Sequence, residues 1–205
     1  MKKILALFIF ALTFPSITMA FPAITTPSAA TTNLTVAVTS ANIANPIILM
    51  DTSKGMISIE LYPKQAPKSV ANFLRYVNQD GFKKTIFHRV IQNFMIQGGG
   101  FTTSGNRAAT LPPIINESTN GLSNARGTIS MARTGKPHSA TRQFFINQKD
   151  NTFLDAQGNK WGYAVFGKVI SGMQVVDDIA AVKTTRADKP VEMIIINSIS
   201  LKKAQ

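Results

Sequence analysis

The patterned part of the chain opens with two strand-like runs, Ile47–Met50 and Met56–Tyr62. Asp51-Thr-Ser-Lys-Gly55 joins them with a glycine near the turn, which predicts a hairpin. Ala66-Pro67 introduces a stretch in which Val70, Phe73, Leu74 and Val77 are apolar. That i, i+3, i+4, i+7 spacing marks one face of a helix. Pro67 suits its first turn, and Gly81 is expected to supply a left-handed residue just past its end. Phe87–Ile96 reads as two strands around a bend near Gln92-Asn93, and Gly98-Gly-Gly100 as a bulge or a close backbone approach. Residues 102–121 are loop-like and stiffest at Pro112-Pro113. Strands are expected again at Gly127–Arg133, Gln143–Asn147 and Ala164–Val169. A second amphipathic helix over Gly172–Ala180 would bury Met173, Val176 and Ile179, and Val191–Leu201 reads as a closing strand. No internal repeat is present. Many short strands with two helices point to a mainly β domain built as a closed antiparallel barrel.

The residues before this domain have a different character. Lys2 and Lys3 precede an apolar stretch, Ile4–Phe14, and Thr18-Met-Ala20 offers small residues for cleavage, so residues 1–20 read as a secretory signal peptide. The stretch is short for a membrane span. Residues 21–44 carry no charge and are rich in Thr, Ala, Ser, Asn and Pro, the composition of a flexible tether, within which Thr35–Val38 could form a short edge strand. The folded domain is expected over residues 45–205. These features suggest bacterial export to the periplasm, with secretion beyond it left open.

The 205 residues, 44% of them hydrophobic, suffice for one core. The chain has no cysteine, so it can form neither a disulfide nor a cysteine-linked lipid anchor. With two histidines besides, no metal site and no cofactor are expected. Net charge is +12, or +10 once Lys2 and Lys3 leave with the signal, a balance that favours anionic surfaces (lipid headgroups, envelope polymers or nucleic acid) without naming one, and that more often marks a well-solvated basic surface. The glycines at 98–100 lack the spacing and strand-to-helix context of a dinucleotide fingerprint, and no nucleic-acid partner is expected. The domain is expected to be monomeric.

Candidate chemistry concentrates in Phe87-His-Arg-Val-Ile-Gln-Asn-Phe-Met-Ile-Gln-Gly-Gly-Gly-Phe101. Arg89, a permanent cation, lies there among Phe87, Phe94, Met95 and Ile96, with the amide of Gln97 following. A guanidinium beside apolar surface needs acceptors, so the segment suggests a pocket for an apolar ring with one strong donor aimed at a carbonyl or an amide nitrogen. Taken alone, such an Arg is more often a strand residue whose head reaches water. Ser139-Ala-Thr-Arg-Gln-Phe-Phe-Ile146 again places an amide, Gln143, beside aromatics, with Phe153-Leu154 close behind.

These segments, with Gly127-Thr-Ile-Ser-Met-Ala132 and Tyr163-Ala-Val-Phe-Gly-Lys-Val169, resemble the signatures of the cyclophilins, the peptidyl-prolyl cis-trans isomerases, over roughly Pro46 to Leu201. The resemblance implies an eight-stranded barrel capped by two helices. It also implies an enzyme that speeds X-Pro rotation in unfolded or flexible polypeptides, here during folding of exported proteins. Carried over by motif, Arg89 would contact the prolyl carbonyl and nitrogen, steadied by a hydrogen bond with Gln97. The ring would sit on Phe94, Met95, Phe145 and Leu154, with His88 on the pocket wall. The Arg133 backbone, flanked by Ala132 and Thr134, would grip the substrate main chain, and Gln143 would line the same groove. Phe153 and Tyr163 stand where many eukaryotic relatives carry Trp and His, as in the bacterial branch. The Trp position gives cyclosporin a hydrogen bond that Phe cannot, so weak cyclosporin binding is expected. Arg142, where Ser is common, would put a cation near the groove and favour acidic residues flanking the proline.

Other readings fit less well. A hydrolase would need His88 or His138 beside a serine, yet no nucleophile-elbow context surrounds either. A non-catalytic peptide-binding or chaperone module on the same fold is the serious competitor, and Arg89 discriminates, because a pure binder could lose it.

Overall fold

The computed structural model describes residues 45–202. The expected signal peptide, the tether and the edge strand at 35–38 lie outside them. The described chain forms strands β1 (Ile47–Thr52), β2 (Gly55–Leu61), β3 (Thr85–Ile91), β4 (Met95–Thr102), β5 (Thr128–Met131), β6 (Phe144–Asn147), β7 (Val165–Ser171) and β8 (Ile194–Leu201). Helix α1 (Pro67–Val77) follows β2, and α2 (Met173–Ala180) follows β7. The strands close into an antiparallel barrel in the order β1-β2-β7-β5-β6-β4-β3-β8. Closure leaves no sheet edge to protect.

Alternation drives the barrel. In β1, Ile48 and Met50 are buried inward, and in β2 so are Ile57, Ile59 and Leu61. The turn between them is tightened by Thr52, whose Oγ1 donates to the Gly55 carbonyl at 2.7 Å and accepts from the Lys54 N–H at 3.1 Å. The closing strand is shorter than expected, since Val191 and Met193 are exposed ahead of β8.

Aromatic rings fill the interior. Phe73 of α1 stacks on Phe82 at 4.9 Å and meets Phe144 and Phe166 at 5.6 and 5.3 Å. The glycine run makes room for them: a Cβ on Gly99, at φ +80°, would lie 2.9 Å from both Phe144 and Phe82. Close approach and bulge therefore coincide in this segment, whose register against β3 shifts between Thr85 and Phe87.

Helix α1 starts at Pro67 without a local side-chain cap. Glu117 supplies one from the long loop, accepting the Lys68 and Ser69 N–H groups at 2.9 and 2.8 Å and the Ser69 hydroxyl at 2.7 Å. The left-handed residue past the helix is Asp80, at φ +52°, rather than Gly81. Gly81 is needed for proximity instead: its N–H donates to the Tyr76 carbonyl at 2.8 Å, and a Cβ there would lie 3.0 Å from that oxygen.

Arg142 also departs from expectation. It is 4% exposed and does not offer its charge to the groove. Nε donates to the Gly99 carbonyl at 2.6 Å, Nη1 to Ala109 at 2.5 Å and Nη2 to Gly81. The guanidinium lies over Tyr76 and Phe82, 5.0 and 5.5 Å from the ring centroids. Burial pulls its pKa below the ordinary arginine value. One cation thus ties together the end of α1, strand β4 and the long loop. Arg142→Ala is expected to lower stability by about 3 kcal/mol, because the buried Gly99 carbonyl and the partly buried Ala109 and Gly81 carbonyls lose their donor. The measurement is a urea midpoint that falls at unchanged m, with the relative turnover of acidic and basic peptide series unaltered.

Candidate active site

A single extra residue turns Arg89 outward. Phe87 pairs with Gly98 and Arg89 with Gln97, so two steps along β3 match one along β4, and His88 is the bulged residue. In an unbroken strand Arg89 would share the face of Phe87. Here Phe87 and Val90 both enter the core, while Arg89 stands on the outer face with its side chain 45% exposed. Arg89, Gln97 and Phe145 then form a row across β3, β4 and β6. On β6 the two adjacent phenylalanines part company, Phe144 packing inside and Phe145 facing the row.

This row floors a cavity of about 330 Å³. Arg89, Phe94, Met95, Gln97, Ala132, Arg133, Phe145, Leu154 and Tyr163 line it. Phe145 and Tyr163 meet edge to face at 5.6 Å. Phe94 comes from the β3–β4 turn, which Asn93 closes at φ +59°. Leu154 comes from a 3-10 turn at Thr152–Leu154. One buried residue anchors both walls: the Asn151 side chain donates Nδ2 to the Phe94 carbonyl at 2.9 Å, and the Asn151 main-chain carbonyl accepts from the Leu154 N–H at 2.9 Å. A second Nδ2 bond to Asn147 Oδ1 at 2.8 Å joins it to a buried network with Asn124, Ser130 and Thr128. Phe153 lies outside the cavity, 62% exposed and stacked on Phe94 at 5.7 Å.

A smaller hollow of about 120 Å³ adjoins the first and shares Gln97, Ala132 and Arg133 with it. Thr134, Ser139, Thr141 and Gln143 complete it. The expected bond between Arg89 and Gln97 is replaced by others: Gln97 Nε2 donates to Gln143 Oε1 at 2.8 Å, while Arg89 Nε donates to Asp188 Oδ2 at 3.3 Å. Arg133 spends its guanidinium on the Trp161, Gly162 and Thr134 carbonyls and covers the Tyr163 ring at 4.6 Å. Its backbone N–H and C=O have no partner among the described residues.

His88 lines neither hollow. Its ring lies 4.8 Å from Phe101, and its Nδ1 is buried without a partner. Burial lowers its pKa below the ordinary histidine value, with Ile86 and Gln143 acting in the opposite sense. Among the described residues no three His, Asp or Glu side chains converge as metal ligands.

Sequence reasoning passed over Asn151, Asp188, Ser139 and Thr141. Asn147 and Asn151, four residues apart beside the aromatic motif, offered a weak hint of a polar anchor. Asp188, 99 residues from Arg89, offered none.

Comparison with known proteins identifies the family. The family model described as Cyclophilin type peptidyl-prolyl cis-trans isomerase/CLD matches residues 47–201. A peptidyl-prolyl cis-trans isomerase of Acinetobacter baylyi is 53% identical over 164 residues, covering 78% of this chain and 87% of its own. Peptidyl-prolyl cis-trans isomerase B of Escherichia coli is 49% identical over 162 residues, covering 76% and 99%. Among solved structures, a Cryptosporidium parvum cyclophilin in the presence of the dipeptide Ala-Pro superposes with a TM-score of 0.66 at 29% identity, covering 77% of this chain and 99% of that one. The chain belongs to the cyclophilin-type peptidyl-prolyl cis-trans isomerases.

Proposed function

We propose that this isomerase acts on X-Pro bonds of flexible or unfolded exported polypeptides, with Arg89 as the donor that stabilises the twisted amide. X-Pro rotation is slow because the amide nitrogen shares its lone pair with the carbonyl, giving a barrier of about 18–20 kcal/mol. In the twisted transition state that nitrogen becomes pyramidal and basic. A donor that meets it only there lowers the barrier selectively.

One observation carries the reading: Arg89 lines the same cavity as Phe94, Met95, Phe145 and Leu154, and neither Nη has a partner among the described residues. The apolar walls suit a proline ring, and the guanidinium at their edge suits its carbonyl and nitrogen. A planar fork that never loses its charge serves better than an ammonium. The unpaired N–H and C=O of Arg133 support the reading that an extended substrate backbone adds there as a strand. Gln97 and Gln143, bonded to each other, form the polar divide between the two hollows.

Arg89→Ala is expected to lower kcat/KM about 100- to 1000-fold, the cost of one preorganised donor. The measurement is exchange NMR on an Ala-Pro-Phe-type peptide, with the unfolding midpoint as the check on the fold. Undiminished exchange in the variant would remove Arg89 from the mechanism.

Cyclosporin is expected to bind weakly, since exposed Phe153 has no N–H to donate. Phe153→Trp should tighten inhibition about tenfold in a titration, and nanomolar inhibition of the wild type would contradict this. For export, the protein recovered from the cell envelope is expected to begin at Phe21 by mass spectrometry. A chain retaining Lys2 and Lys3 would count against it.

A further inference from the structure

Arg89 is a long, half-exposed side chain on the outside of a barrel, and a catalytic donor there must be kept from turning into solvent. Its neighbour Asp188 is itself set by an unusual piece of backbone. Beyond Phe87, the named pairing of β3 with β8 stops, and the edge of β3 is met instead by a tight turn before β8. In that turn the Thr185 N–H donates to the Lys189 carbonyl at 2.8 Å and the Asp188 N–H to the Thr185 carbonyl at 3.0 Å. Asp188 occupies the left-handed region at φ +60°, and its carbonyl accepts from the Val90 N–H at 2.8 Å, one residue past Arg89. The main chain alone therefore holds the turn against β3. The carboxylate is free for one contact among the described residues, the Arg89 Nε at 3.3 Å. Asn or Gly would tolerate the same φ, so backbone geometry does not call for the charge.

We propose that Asp188 is a positioning residue for the isomerase reaction: by holding the Arg89 Nε it keeps both Nη groups turned toward the proline cavity. The inference rests on Arg89 being the donor. Asp188 touches no substrate. Its carboxylate fixes the guanidinium plane before the peptide arrives, so less ordering remains to be done in the transition state. Using Nε for the protein also leaves the two ends of the fork for the prolyl carbonyl and nitrogen.

The test is kcat and KM by exchange NMR on an Ala-Pro-Phe-type peptide for Asp188→Gly and Asp188→Asn, each alone and in the Arg89→Ala background. Asp188→Gly is expected to lower kcat roughly tenfold with KM little changed. Val90 amide protection and the unfolding midpoint should stay at wild-type values. Asp188→Asn should fall between, retaining an acceptor but not the charge. In the Arg89→Ala background neither variant should reduce activity further. Wild-type kcat in Asp188→Gly beside a collapse in Arg89→Ala would overturn the role of Asp188 alone. So would a loss that persists without Arg89, which would mark a structural effect. Full activity in Arg89→Ala would overturn the reading beneath it as well.

Discussion

Everything at the functional face follows from the register break at His88. A β-strand alternates, and an odd insertion is the way to send two residues of the same parity to opposite sides. By admitting His88 as a residue without a partner in β4, the chain sends Phe87 and Val90 into the core and leaves Arg89 outside. Removing that residue would return the guanidinium to the aromatic interior, where a permanent cation is costly without acceptors. The cost of the bulge falls on His88, whose Nδ1 is left without a partner.

The arrangement keeps stability and chemistry on different faces of the same strands. Ile96 and Phe144 serve the core while Gln97 and Phe145, their immediate neighbours, serve the cavity. The interior packs Phe73, Phe82, Phe144 and Phe166 among aliphatic side chains of the strands. Arg142 belongs to the structural side of this division despite its place in the aromatic motif beside Gln143, because its charge is absorbed by carbonyls of three segments. A cation buried this way contributes connection between loops rather than recognition.

The strands and helices were legible because each carries its own period: Ile57, Ile59 and Leu61 alternate, and Val70, Phe73 and Val77 recur at helical spacing. The resemblance named the cavity residues together, and Arg89, Phe94, Met95, Phe145 and Leu154 line one cavity in the structure. What stayed hidden depends on contacts far apart in the chain. Glu117 capping α1, Asp188 meeting Arg89 and Arg142 reaching Gly81 each need the closed barrel before the partners come near. A local pattern registers none of them. The handedness of Asp80 in place of Gly81 was hidden for another reason, since a short polar residue can take either conformation and glycine is only the commoner choice.

Asn151 gives the cavity a fixed gauge. Phe94 and Leu154 both line the cavity, and one residue holds the main-chain atoms of both, the Phe94 carbonyl through the Asn151 side chain and the Leu154 N–H through the Asn151 main-chain carbonyl. The distance between the jaws is therefore set by peptide geometry and survives changes in the side chains that line them. Substituting Phe94 or Leu154 alters the padding, while the spacing belongs to the frame behind it. A slot built this way has its width fixed by the fold and its lining left open to change.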